Sequence, residues 1–326
     1  MRIKLVFLLI TIVSCDSSFT RMYHYHQSAR DTEEALELLK NELLENPSNA
    51  DANFYMAELL MEKGSYVDAK PYFEKSLNSS GKYKDDIKYL NEKYYRVEFN
   101  RGIDLFKSKN YTDAIEFFKK SDHVIPNQAE TFKFISSSYY ELSNYAQSIQ
   151  YGNRCVEVAN YDYDCSLILV KNYFAMGNHD QAVVLAEEYV KYFRYQNEFL
   201  KAMIYASLEK SDYPTAEKKF GDYFKETKDY KTLKEFSLEL FNKNQYEIAE
   251  PYLRNYYKHD PQDTDILRAL SFLFLELRDY TSLVQVNERL VAIYPEDKSL
   301  KELLMLSYEL IGDMDNYYFI KKQIDN

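Results

Sequence analysis

An all-α fold of stacked helical hairpins is what this sequence predicts, on three observations. A small or apolar residue recurs at Ala114, Ser148, Ala182 and Ala216, 34 residues apart each time, then at Ala249 after 33 and Leu283 after 34 more. Three residues before each stands Tyr111, Tyr145, His179, Tyr213, Tyr246 or Tyr280. Glycine and proline number only seven each, too few for the turns of a sheet protein. A step of about 34 residues is one helix–turn–helix unit. Such a unit cannot bury its own apolar face and stacks on its neighbours.

The N-terminus is a separate device. Arg2 and Lys4 form a positive start, and Leu5 to Ile12 an apolar run broken only by Thr11. That run is too short to span a bilayer and has signal-peptide form. Ile12-Val13-Ser14-Cys15 then resembles the lipobox of bacterial lipoproteins. The resemblance implies a signal peptide over residues 1–14, cleavage after Ser14, and diacylation of Cys15 through its sulfur with acylation of the new N-terminus. Two or three chains anchor stably where one would not. The other reading is an ordinary secreted protein cleaved nearby, with Cys15 incidental. Residues 15–30 are polar and read as a tether, in which His24 and His26, two apart, face different sides rather than share a metal.

Within the repeats, Ala129 to Asp162 is the clearest unit. Phe132, Ile135, Ser136 and Tyr139 share one face of a first helix, Ser143-Asn144 breaks it, and Tyr145, Ser148, Gly152 and Cys155 mark the inner face of a second. The pattern resembles the tetratricopeptide repeat, with small residues where helix backbones approach and a proline after the second helix. Units start near Ala50, Tyr95, Ala129, Tyr163, Asn197, Tyr230, Thr264 and Lys298, after a partial one carrying Ala35, Leu39 and Pro47. The resemblance implies a right-handed superhelical α-solenoid of about eight to nine repeats over residues 31–326. Ala69 to Ala114 is a step of 45, so eleven residues are inserted, about residues 84–94, which should lengthen helices or add a bend. Where serine replaces glycine at the close-approach position, as at Ser136, the helices should pack with altered spacing.

Catalytic motifs do not stand out: there is no Gly-rich phosphate loop, HExxH or GxSxG, and no metal site or cofactor is expected beyond the lipid on Cys15. A net charge of −11 argues against nucleic acid as partner. Cys155 and Cys165 fall on consecutive antiparallel helices, equidistant from their turn, as a disulfide or as two buried thiols. In tetratricopeptide arrays the first helices line a concave groove. Its positions here carry Phe106, Tyr140, Phe174, Tyr205, Phe241 and Phe272 (with Leu208 and others) beside a basic row of Lys133, Lys171, Lys201, Lys234 and Arg268. This reads as a groove for a peptide with apolar anchors and acidic residues, or, if the register is off by one residue, as core. The function expected is a lipid-anchored, non-enzymatic scaffold binding other proteins or peptides at the bacterial cell envelope, on a membrane outside the cytoplasm. A substrate- or glycan-binding lipoprotein is the alternative, and would show aromatic platforms clustered at one site.

Overall fold

The computed structural model describes His24, residues 32–193 and residues 197–325. The expected signal peptide, Cys15 and the expected tether apart from His24 lie outside them. Among the described residues there are seventeen α-helices and no strand. Helix α1 (Thr32–Glu45) comes first. Hairpins follow: α2 (Ala50–Glu62) with α3 (Tyr66–Ser79), α4 (Lys84–Lys107) with α5 (Tyr111–Val124), α6 (Ala129–Glu141) with α7 (Tyr145–Ala159), and α8 (Tyr163–Ala175) with α9 (His179–Tyr189). Then come α10 (Asn197–Glu209) with α11 (Tyr213–Thr227), α12 (Tyr230–Asn242) with α13 (Tyr246–His259), α14 (Thr264–Glu276) with α15 (Tyr280–Ile293), and α16 (Lys298–Ile311) with α17 (Met314–Asp325). Consecutive helices pack on each other from α1 to α3, from α4 to α9 and from α12 to α17, and first helices also touch first helices (α2 on α4, α4 on α6, α6 on α8, α12 on α14), which is the packing of a tetratricopeptide solenoid.

The period is written into the turns. Gly64, Lys109, Ser143, Gly177, Ser211, Asn244, Arg278 and Gly312 each follow a first helix with φ between 56° and 76°. In each hairpin the next N–H reaches back five residues to a carbonyl, from Ser65 to Leu60 and from Asn144 to Tyr139 at 2.8 Å, and from Asp313 to Tyr308 at 2.9 Å. This geometry satisfies carbonyls that the helix end would otherwise strand. The same residue often opens the second helix: Asn144, Asn178, Asp212 and Asp279 accept from the backbone N–H three residues on. One short polar side chain thus ends one helix and begins the next.

The inserted residues become helix. Helix α4 has 24 residues where α6, α8, α10, α12 and α14 have 13, so the added length is about three turns. A 3-10 turn, Gly81–Tyr83, leads into it, and the Tyr83 ring stacks on Phe54 with centroids 4.0 Å apart.

The chain forms two compact units, Met1–Phe199 and Leu200–Asn326. In the first, Phe54, Phe73, Ile87 and Leu90 form one core with α1's Ala35 and Leu39, and Ala114, Phe118 and Ile135 another. In the second, one core runs from Ile204 to Leu300, with Phe220 stacked on Phe236 at 4.1 Å. The marker residues Ala114, Ser148, Ala182, Ala216, Ala249 and Leu283 are all fully buried. Serine at the close-approach position bonds across the hairpin instead of leaving a gap. Ser136 and Ser148 each donate to the other's carbonyl at 2.7 Å, and Asn172 of the next unit donates to the Ser148 hydroxyl at 2.8 Å. Ser271, Asn287 and Ser307 make the equivalent chain in the second unit, with both bonds 2.7 Å. Buried polar atoms demand such partners, so these chains fix the helix register.

Candidate interaction surfaces

The aromatic stripe lies where the first helices end. Phe106, Tyr140, Phe174 and Phe241 are half-buried, each against the residue that opens its second helix: Tyr111, Tyr145, His179 and Tyr246, at centroid distances of 5.4, 5.8, 4.9 and 5.4 Å. Edge-on and tilted aromatic contacts of this kind hold a ring without covering its outer face. Phe272, 44% exposed, bridges Phe241 and Tyr246 at 5.7 and 5.5 Å, so the stripe is continuous across two repeats of the second unit. Tyr205 donates to Glu235 of the following first helix at 3.1 Å, and burial raises its pKa above the ordinary phenol value, with Glu235 adding to the effect. Leu208 is fully buried and belongs to the core rather than the stripe.

The basic row is largely committed. Lys133 pairs with Asp164 at 3.4 Å, Lys201 with Asp229 at 3.2 Å, and Lys234 with Asp263 and Asp265 at 2.7 and 2.9 Å. Each partner sits at the start of the next first helix, where Asp229 and Asp263 are also the N-caps of α12 and α14. These lysines therefore join repeats instead of lying open for acidic ligands. The charges follow suit. Burial works against the Lys234 ammonium, but Asp263 and Asp265 outweigh it and raise its pKa. Burial likewise raises Asp229, but hydrogen bonds from Tyr223, Thr232 and Lys201 outweigh it and hold the carboxyl well below the usual range. Asp263 is lowered in the same way: burial opposes, and Lys234 with the Ile266 N–H prevails. Lys171 and Arg268 are exposed, the Arg268 guanidinium 5.9 Å from the Tyr294 ring.

Cys155 and Cys165 flank the α7–α8 turn with both side chains buried, their Cα atoms 5.7 Å apart and their sulfurs meeting. His24 is exposed but not simply solvated, since its Nε2 lies 3.1 Å from the Tyr55 hydroxyl. His179 packs on Phe174, and His259 stacks on Tyr230 at 3.7 Å.

Sequence reasoning missed a cavity of about 550 Å³ in the first unit, between α3, the added turns of α4 and the end of α5. Buried Met61, Phe73, Ile87 and Val124 form its floor. Tyr66 also faces it, with its hydroxyl turned away to donate to Glu98 at 2.5 Å. Lys70, Lys84 and Lys88 stand at the rim, exposed and with no ion-pair or hydrogen-bond partner among the described residues. The only sequence signal for it was the insertion itself, with lysines at a four-residue step. Among the described residues, no helix is long and apolar enough to cross a membrane.

Residues 27–86 match the family model of the tetratricopeptide repeat. Solved structures of similar fold include the C-terminal part of a TPR repeat-containing protein from Cytophaga hutchinsonii, 18% identical with a TM-score of 0.54, over 68% of this chain and 88% of that one. Another is PilW, a widely conserved type IV pilus biogenesis factor, 11% identical with a TM-score of 0.50, over 64% and 98%. A third is Naa15/Naa10 bound to HypK-THB, 18% identical with a TM-score of 0.48, over 88% of this chain. This chain spans 43% of that longer one, and 52% of the matched chain in the Cut9–Hcn1 structure. No curated protein matches the sequence. Helix order and packing are those of a tetratricopeptide solenoid, and residues 27–86 carry the family's sequence match.

Proposed function

We propose that this chain is a non-catalytic scaffold that binds other proteins at the bacterial cell envelope, held at a membrane by lipid on Cys15. The observation that carries the binding reading is the aromatic stripe. Single half-buried rings recur along successive hairpins, which suits an extended or helical partner with apolar anchors better than a glycan at one clustered platform. The ion-paired state of Lys133, Lys201 and Lys234 shifts the reading from an acidic partner on this face to an apolar one. The lipid reading rests on the N-terminal run and on Ile12-Val13-Ser14-Cys15. In that oxidising setting Cys155 and Cys165 form a disulfide across their turn.

Metabolic labelling with a clickable fatty acid, comparing the native chain with Cys15→Ala, tests the anchor. Label on the native chain and none on the variant is expected; equal labelling, or none on either, would overturn it. Photo-crosslinkers placed singly at Phe106, Tyr140 and Phe174 test the stripe of the first unit. One partner captured from all three is expected, and capture only from a probe at exposed Val184 on second helix α9 would move the interface there.

A further inference from the structure

We infer that the cavity between α3, α4 and α5 is a peptide site, and that its ligand carries large apolar side chains flanked on both sides by carboxylates. This goes beyond the scaffold reading, because it uses a different surface from the stripe and does not depend on the lipid. Its volume of about 550 Å³ lies in the range of sites that take a few side chains or a small ligand. The floor is apolar, so an apolar group entering it leaves water for buried Phe73, Ile87 and Val124. The rim selects the rest of the ligand. Lys70 stands on the α3 wall and Lys84 and Lys88 on the α4 wall, so cationic groups flank the floor from two directions. Glu74 and Glu92 line the same walls one helical turn from Lys70 and Lys88, and Asn91 offers an amide among them. A fatty acid has one charged end and a bare tail, and would leave the polar groups of one wall facing hydrocarbon. A peptide answers both walls: carboxylates to the lysines, and backbone amides to Asn91 and the glutamates.

The cavity lysines differ from the three paired lysines of the regular first helices. In a protein of net charge −11, Lys133, Lys201 and Lys234 all have carboxylate partners, whereas the three cavity lysines have none among the described residues. Long-range steering by these lysines would favour an acidic ligand and weaken with salt.

The test uses the full chain in phosphatidylcholine nanodiscs and a fluorescein-labelled peptide, Gly-Asp-Phe-Leu-Glu-Phe-Asp-Gly, read by fluorescence anisotropy. Saturable binding is expected, weakened about tenfold or more by the double change Lys84→Glu with Lys88→Glu. It should also be weakened by Ile125→Trp, which fills the cavity, and be absent for the peptide with Lys in place of every Asp and Glu. Thermal melts of each variant show whether it folds, and the exposed lysine changes remain informative if Ile125→Trp does not. Lys225→Glu, at an exposed position of α11 that lines neither surface, should leave binding unchanged. No binding, equal binding of the lysine peptide, or loss with Lys225→Glu in place of the cavity variants would each overturn the proposal. So would binding of cis-parinaric acid that depends on Lys84 and Lys88 when the peptide does not bind.

Discussion

The regular repeats and the insertion use lysine in opposite ways. Where the step is about 34, a lysine near the start of one first helix meets the first turn of the next, as Lys133 meets Asp164 and Lys234 meets Asp265, 31 residues on in both cases. The pairing is a by-product of stacking, since any residue at that place faces that neighbour. In the two hairpins on either side of the insertion, phenylalanine holds the lysine's place: Phe54 stacks on Tyr83, and Phe99 packs against Phe118. There the inter-helix contact is apolar, and the lysines appear instead around a cavity that the longer α4 helps to wall. Stacking thus neutralises Lys133, Lys201 and Lys234, whereas Lys70, Lys84 and Lys88 stay exposed around the cavity.

The largest expected effect tests how the chain recovers its register after the insertion. Gly102 lies on α4 against Phe118, and a Cβ there would sit 2.6 Å from a ring that is fully buried. Gly102→Ala should therefore destabilise by about 1–3 kcal/mol, overpacking outweighing the helix-propensity gain of about 1 kcal/mol. Urea denaturation reads the result. An unchanged midpoint would mean that Phe118 yields and that this contact does not set the register.

The next effect is the lysine contrast itself. Lys234→Met should cost about 1–2 kcal/mol, because it strips two carboxylates of a partly buried partner. Lys84→Met should stay within about 0.5 kcal/mol of the native chain. Acid should erase the difference. A carboxyl whose folded pKa is depressed, as in Asp263, contributes stability that is complete above its unfolded value of about 4 and is lost as pH falls through the folded value. The cost of Lys234→Met should thus be full near neutrality and shrink below about pH 4. Equal costs for the two lysines at neutral pH would break the comparison.

Most of the fold was legible because the repeat signal resides in backbone-determining residues. The expected starts at Ala50, Ala129, Tyr163, Asn197, Tyr230, Thr264 and Lys298 are the first residues of α2, α6, α8, α10, α12, α14 and α16. Tyr95 is the exception, and for a physical reason: the insertion is itself helix-permissive, so the helix extends back to Lys84 and nothing marks a boundary at Tyr95. The surface was less legible. Sequence placed Lys133, Lys201 and Lys234 on the first helices but could not see their partners, since a pair about 30 residues apart depends on how two hairpins stack. Leu208 shared the stripe's spacing, yet the neighbouring hairpin closes over it. The cavity depends on the space left between α3 and α5, which no local pattern encodes.

The smallest expected effect has the opposite sign to the first and uses the same substitution. Gly221 sits within α11, outside the left-handed region, and a Cβ built there meets nothing within 4 Å. It therefore has neither the close approach that Gly102 needs nor the backbone conformation that Gly64, Gly177 and Gly312 adopt at their turns. What remains is its cost in a helix interior, where glycine loses more backbone freedom on folding than alanine. Gly221→Ala should stabilise by about 0.5–1 kcal/mol, seen as a higher urea midpoint with an unchanged slope. Close packing at Gly102 and open space at Gly221 would then account for opposite signs from one added methyl group. A destabilised Gly221→Ala chain would show that glycine here answers to a contact that helix geometry alone does not reveal.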